Sequence, residues 1–223
     1  MISVVIRTKN EERWIGRCLS AVFAQSYKNI DVVIVDNEST DRTLEIVSGF
    51  DCTLVSISDK DFTFGRSLNW GIHASKSDFV AITSGHCIPA DDQWLVGLLS
   101  AFADAQIVGT YGRQEPLPDT SSYDKRDLWT TFGTEPKVQS QDFFFHNANS
   151  MIKKKIWTQI PFDEEISGVE DRDWARKVQA KGYKVAYEPS ASVFHWHGIH
   201  HGRNEERSAR VAKVIEWIGN RSA

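Results

Sequence analysis

ISVVIRTKNEERW (residues 2–14) and IDVVIVDNESTDR (residues 30–42) decide the fold of this chain. Each begins as a short, β-branched, nearly unbroken apolar run. Each then breaks off into polar residues that open a helix-like stretch. A strand with one wet face alternates apolar and polar residues; a run without alternation is buried on both faces, as in a parallel sheet covered by helices. The pattern recurs in CTLVSI (52–57), DFVAIT (78–83) and IVGTYG (107–112). Helix-like spacing fills 11–25, 40–48, 65–75 and 91–103, and the N-cap cluster Ser39-Thr40-Asp41 opens the second of these. The order βαβαβ predicts an α/β domain with a Rossmann-like, mainly parallel sheet and right-handed crossovers. Ligands of such sheets lie beyond the carboxyl ends of the strands. Chemistry is therefore expected at Thr8–Asn10, Asp36–Ser39, Ser84–Cys87 and Arg113–Glu115.

The second half reads differently. Residues 114–144 are rich in Pro, Asp, Ser and Thr and predict an irregular segment with one short helix. A strand-like FFFHNANSMI (143–152), a helix over about 169–181, and strands at YKVAYE (183–188) and ASVFHWHG (191–198) follow, the last two parted by Pro189. Residues 203–218 have helical spacing, with Val211, Val214, Ile215 and Ile218 on one side and Arg203, Arg207 and Arg210 on another. No internal repeat or flexible linker interrupts the chain. The expected organisation is one domain over 1–223 with two subregions, 1–113 and 114–198, and a helical tail (199–223).

The 223 residues, 41% hydrophobic and 25% charged, suit a globular protein and exclude disordered, collagen-like and disulfide-rich classes. The formal net charge of −4 removes a bulk basic field for nucleic acid, so no nucleic-acid partner is expected. Cys18, Cys52 and Cys87 are scattered and odd in number, which suits a reducing, cytoplasmic setting and argues against a cysteine-built zinc site. No run approaches the ~18 apolar residues of a membrane span, so any membrane contact is expected to be peripheral.

Four segments carry candidate chemistry. Asp36, at the end of the second apolar run, can accept a hydrogen bond from a nucleobase or ribose, or simply cap the next helix. Ser84-Gly85-His86-Cys87-Ile88-Pro89 holds His86 where it can ligate a metal, donate to a phosphate, or serve structure alone. Glu170, Asp171 and Asp173 crowd the first turn of a helix, where the positive helix end favours them. The adjacent Glu170 and Asp171 can do separate jobs, one orienting a hydroxyl and the other acting as a base. His195 and His197 are two apart on a strand-like run, so they share a face; the plainer alternative is a polar rim along the sheet. Arg66, Asn69 and Arg113 are available to balance an anion.

Together these segments resemble the family 2 glycosyltransferases of GT-A fold. SVVIRTKNEERWIGRCLSAVFAQSY (3–27), VVIVDNESTDRTLEIV (32–47), SLNWGIHAS (67–75) and GVEDRDWARKVQAKGYKVAYEPSASVFHWHG (168–198) carry the resemblance in order and spacing. It implies that the first subregion (1–113) binds the nucleotide sugar, with Thr8, Asn10 and Asp36 contacting the nucleotide, and that the second (114–198) carries the acceptor and catalytic groups. It implies that Asn69 matches a family position, with Arg66 substituting for an arginine that the family often has where Leu68 stands here. It also implies that Asp171 is the catalytic base. The family usually carries Asp-x-Asp where this chain has Ser84-Gly85-His86; a rhamnosyltransferase-like subset shares that Ser-x-His, with a YGRQ stretch like 111–114.

The resemblance implies an inverting hexosyl- or deoxyhexosyltransferase that moves a sugar from a nucleotide-diphosphate donor to a hydroxyl of a glycan or lipid-linked acceptor in bacterial surface-polysaccharide synthesis. The expected donor site is Thr8, Asn10, Asp36, Arg66, Asn69, Ser84 and His86. The expected cofactor is a divalent cation, Mn²⁺ or Mg²⁺, on His86, His195 and His197. The alternative is direct neutralisation of the diphosphate by His86, Arg66 and a tail arginine. The expected setting is the cytoplasm, at the inner face of a membrane where the acceptor is lipid-linked, with assembly as a homo-oligomer or within a larger synthase left open. A GT-A-like module that has lost catalysis and binds a nucleotide or glycan is the rival reading, against which the Glu170-Asp171 pair stands.

Overall fold

The computed structural model describes residues 1–166, 168–198 and 205–220. In chain order its elements are β1 (Ile2–Thr8), α1 (Ile15–Phe23), β2 (Ile30–Asp36), α2 (Thr43–Val47), β3 (Thr53–Ser56), α3 (Phe64–Ala74), β4 (Phe79–Ser84), β5 (Cys87–Pro89) and α4 (Trp94–Ser100). They continue with β6 (Ile107–Pro116), α5 (Ser122–Thr131), β7 (Lys137–Gln139), β8 (Asn149–Lys153), α6 (Lys154–Gln159), α7 (Glu170–Gln179), β9 (Lys184–His195) and α8 (Glu205–Asn220). One sheet runs β3-β2-β1-β4-β8-β6-β9-β5, with β7 added to β9. β1 pairs in parallel with β2 and β4, β2 with β3, and β6 with β9, whereas β8 is antiparallel to both its neighbours.

The unbroken apolar runs have the expected cause: each central strand feeds two cores. Val5, Val33 and Val35 pack on one face with Leu68 and Ile72 of α3 and Trp174 of α7. Val4, Ile6, Val32 and Ile34 pack on the other with Ile15, Cys18, Leu19 and Val22 of α1 and with Leu95 and Leu98 of α4. Each fully buried side chain of this size contributes roughly 1.5–3 kcal/mol. α3 lies close on the sheet because Gly71 carries no Cβ; one there would stand 2.5 Å from a Val5 methyl.

The structure departs from the sequence expectations at the joints. β6 runs on to Pro116, into the segment expected to be irregular, because it has β9 to pair with throughout. That segment holds the one helix expected there, α5, and also the short β7, and FFFHNANSMI is a strand only from Asn149. The two expected strands around Pro189 form one strand, β9, whose pairing with β6 shifts register between Gly112↔Glu188 and Gln114↔Val193. The shift absorbs a proline that cannot donate to the ladder. The tail helix is α8, with Trp217 exposed. Arg203, His200, His201 and the side chains of Arg207 and Arg210 lie outside the described residues, and so does the arginine face expected there. Among the described residues no helix is long and apolar enough to cross a membrane.

Candidate active site

β1 and β4 end side by side, and β2 ends beside β1, so Thr8, Ser84 and Asp36 share one edge of the sheet. Two adjoining cavities open there. The first, of about 240 Å³, is lined by Thr8, Lys9, Glu11, Asn37, Phe62 and Phe64. The second, of about 120 Å³, is lined by His146, Asn147, Glu170, Asp171, His195 and His197 among others. Arg7, Phe64, Ser84 and His86 line both and form the wall where the two meet.

Of the residues expected to bind a donor, Thr8, Ser84 and His86 line this cleft. The other four have structural duties. Asp36 accepts from the Ser39 amide at 3.0 Å and the Ser39 hydroxyl at 2.5 Å, which is the helix-entry turn of the plainer reading. Asn10, at φ 54°, accepts from the Thr40 amide at 2.8 Å and ties the first strand-end turn to the second. Arg66 points at Glu164 (2.7 Å) and the Asp61 carbonyl (2.8 Å). Asn69 is buried; it donates to the Phe162 carbonyl at 2.9 Å and accepts from Trp157 Nε1 at 2.9 Å. These four lie outside the lining of both cavities.

The three expected histidines do converge. Ring centroids lie 5.1 Å apart for His86 and His195, 4.8 Å for His86 and His197, and 4.4 Å for His195 and His197. In each the Nδ1 side faces an oxygen: Glu11 Oε1 at 2.5 Å from His86, Gln114 Oε1 at 2.7 Å from His195, and the Gly198 carbonyl at 3.0 Å from His197. An acceptor at Nδ1 puts the proton there and leaves the lone pair at Nε2, the arrangement that metal-ligating histidines use. Ligand atoms of His86, His195 and Cys87 lie within 4.8 Å of one another. Burial pushes the Cys87 thiol up to about 12, so without an ion it stays protonated. The imidazoles thus fit a divalent transition ion better than Mg²⁺, which prefers oxygen.

Glu170 and Asp171 begin α7 and line the same cavity. Asp171 accepts from the Asn147 amide at 3.1 Å and the Arg172 amide at 2.8 Å, which fixes its carboxylate at the cavity wall. Glu170 is buried, and its carboxylate stands 3.7 Å from the Arg7 guanidinium. Burial and the adjacent Asp171 push Glu170 up to about 7, against the pull of Arg7. Asp173, the third carboxylate of this turn, is buried against Arg176 (3.0 Å) and Lys177 (2.6 Å) and belongs to the scaffold.

Sequence reasoning missed Arg7, Glu11, Gln114 and His146. Arg7 had a signal: a guanidinium inside a strand buried on both faces. Gln114 had a weaker one in the YGRQ stretch. Its side chain bridges His195 Nδ1 and His146 Nδ1 (3.0 Å), a link across distant segments that no spacing reveals.

Two carboxylates and an imidazole cluster thus share the cleft at the carboxyl edge of a mixed α/β sheet. The sequence profile of "Glycosyl transferase family 2" matches residues 3–160, and the chain belongs to that family. It is 28% identical over 196 residues to the O-antigen chain rhamnosyltransferase WbaN of Salmonella anatum, a match over 83% of this chain and 62% of that protein. The chain therefore spans about 62% of that relative's length. The fold superposes with TM-score 0.69 on the mannosyltransferase PcManGT of Pyrobaculum calidifontis, solved with GDP-Man and Mn²⁺ (20% identity; 86% of this chain, 56% of that one). It superposes with TM-score 0.67 on Staphylococcus aureus TarS 1–349 with UDP-GlcNAc (16% identity; 86% of this chain, 57% of that one).

Proposed function

We propose that this domain transfers a sugar, with inversion, from a nucleoside-diphosphate donor to a hydroxyl of a glycan or lipid-linked acceptor in bacterial surface-polysaccharide synthesis. The carrying observation is the joined cleft: a pocket at the ends of β1 and β2 opens past Ser84 and His86 onto a carboxylate held by two backbone amides. The nucleoside fits the first pocket, against Phe62, Phe64 and Asn37. The diphosphate then lies at the shared wall, and the sugar reaches the second pocket.

Transfer makes two demands. Charge develops on the β-phosphate as its oxygen leaves the anomeric carbon, and preorganised donors must meet it. The acceptor hydroxyl must lose its proton as it attacks, and a fixed carboxylate within hydrogen-bond reach can take it. Asp171 is the base. Its two amide donors hold the carboxylate at the cavity wall, and in-line attack inverts the anomeric centre. Glu170 and His146 line the same pocket and orient hydroxyls of the sugars. His86, His195 and His197 would hold a divalent cation, with Glu11 and Gln114 setting the tautomers of the first two. When bound, the ion supplies positive charge to the leaving diphosphate. The domain would work in the cytoplasm, facing a membrane where the acceptor is lipid-linked.

The test is Asp171→Asn, assayed for sugar-nucleotide turnover, slow hydrolysis included. Turnover should fall ~10²–10⁴-fold with donor affinity nearly unchanged. Loss of donor binding with turnover would remove Asp171 from the role of base.

A further inference from the structure

Arg7 breaks the pattern that builds β1. Its strand neighbours Val4, Val5 and Ile6 are wholly buried, and its own side chain is 14% exposed. A buried guanidinium is costly unless its donors are met. Those of Arg7 are met incompletely. Nη1 lies 3.5 Å from the Phe64 carbonyl and 3.7 Å from Glu170 Oε1, long for charge-assisted bonds. Nε is buried with no hydrogen-bond partner among the described residues, and so is the hydroxyl of the next residue, Thr8. The Phe64 ring lies 4.9 Å beneath the guanidinium carbon and holds the group in place.

Position adds to this. Arg7 lines both cavities, at the wall where they meet. The other cations nearby are committed: Arg66 to Glu164 and Asp61, and Lys9 to Asp59. A permanent fork-shaped cation with donors to spare, beside an unpartnered hydroxyl, fits a ligand with several anionic oxygens at that point.

We propose that Arg7 binds the diphosphate of the donor and takes up the charge that develops on the leaving group. This rests on the function proposed above and assigns a further catalytic residue to it. Before the donor binds, Glu170 and Phe64 hold the guanidinium; phosphate oxygens then complete its hydrogen bonds. No bond to Arg7 forms or breaks. The bond from the anomeric carbon to the β-phosphate oxygen breaks with its electron pair going to that oxygen. The bond from the acceptor oxygen to the anomeric carbon forms, and the acceptor proton passes to Asp171.

The experiment is calorimetric titration of the full chain with UDP, GDP, dTDP, ADP and CDP, and with the nucleoside of the tightest binder, each with Mn²⁺ and with chelator. Arg7→Met should weaken the diphosphate at least about ten-fold and leave the nucleoside within about two-fold. Unchanged diphosphate affinity would overturn the proposal, as would equal losses for diphosphate and nucleoside, the mark of a merely structural role. Should Arg7→Met fail to fold, Arg7→Lys decides, since it keeps the charge and loses the fork. A loss of about three-fold or more confined to the diphosphate supports the proposal; an unchanged or uniform affinity overturns it. A wild type that binds none of the five diphosphates overturns the proposed function as well, whereas a wild type and variant that bind alike overturn only the role of Arg7.

Discussion

Replacing Glu170 by glutamine tests the electrostatics of the cleft without changing its shape. Glu170 is 3% exposed, and its carboxyl titrates at about 7 against an ordinary 4.5, because burial and Asp171 oppose its charge more than Arg7 supports it. An acid whose value is raised by folding holds its proton more tightly in the folded state. Its contribution to stability is complete below pH about 4.5 and is lost as pH rises through about 7. That gap corresponds to roughly 3 kcal/mol at ~1.4 kcal/mol per tenfold. The amide of the Glu170→Gln variant is neutral at every pH, so the variant's stability relative to wild type should rise by up to roughly 3 kcal/mol between about pH 5 and pH 8. For a chain of this size that is ~6–12 °C in Tm. Urea denaturation of both proteins across this pH range measures it. Parallel stability curves would refute the reasoning, and so would a wild type that gains on the variant as pH rises.

Other perturbations separate the site from its scaffold. His86→Ala should lower kcat ~10–100-fold and abolish stimulation by Mn²⁺, read from initial rates after chelation and metal add-back; undiminished activity in chelator would remove the ion from the reaction. Asn69→Ala orphans the Trp157 indole N–H and the buried amide and carbonyl of Phe162 and should cost roughly 2–4 kcal/mol in urea denaturation. The donor affinity of the folded fraction should stay unchanged, because Asn69 holds the chain rather than the ligand. Arg66→Ala should likewise leave donor affinity within about two-fold, since its guanidinium is spent on Glu164 and Asp61.

The first half of the fold was legible because each strand-helix unit is short, contiguous and buried on both faces, so local pattern and tertiary environment agree. β5, β7 and the extension of β6 were not, because their strand character comes from pairing with β9 rather than from their own residues. The candidate site divides the same way. Asp171, Glu170, His86 and the His195-His197 pair announce themselves by residue type at a turn or strand end, and the structure brings all of them to one cleft. Asp36 and Asn10 have equally suggestive positions, and local hydrogen bonds to Ser39 and Thr40 engage them; which partner a strand-end carboxylate or amide takes is set by the fold and not by spacing. Arg66 and Asn69 are turned by α3 toward the 162–164 segment, a contact across more than ninety residues that no local spacing reveals.

A crystal structure with an intact sugar nucleotide, or with the tightest-binding nucleoside diphosphate, bears most directly on the proposed chemistry. The expected result places the nucleoside by Phe62 and Phe64, the diphosphate at Arg7 and His86, and the anomeric carbon in the pocket of Asp171, with room between them for an acceptor hydroxyl. A ligand seated elsewhere, or one whose sugar points away from Asp171, would contradict it.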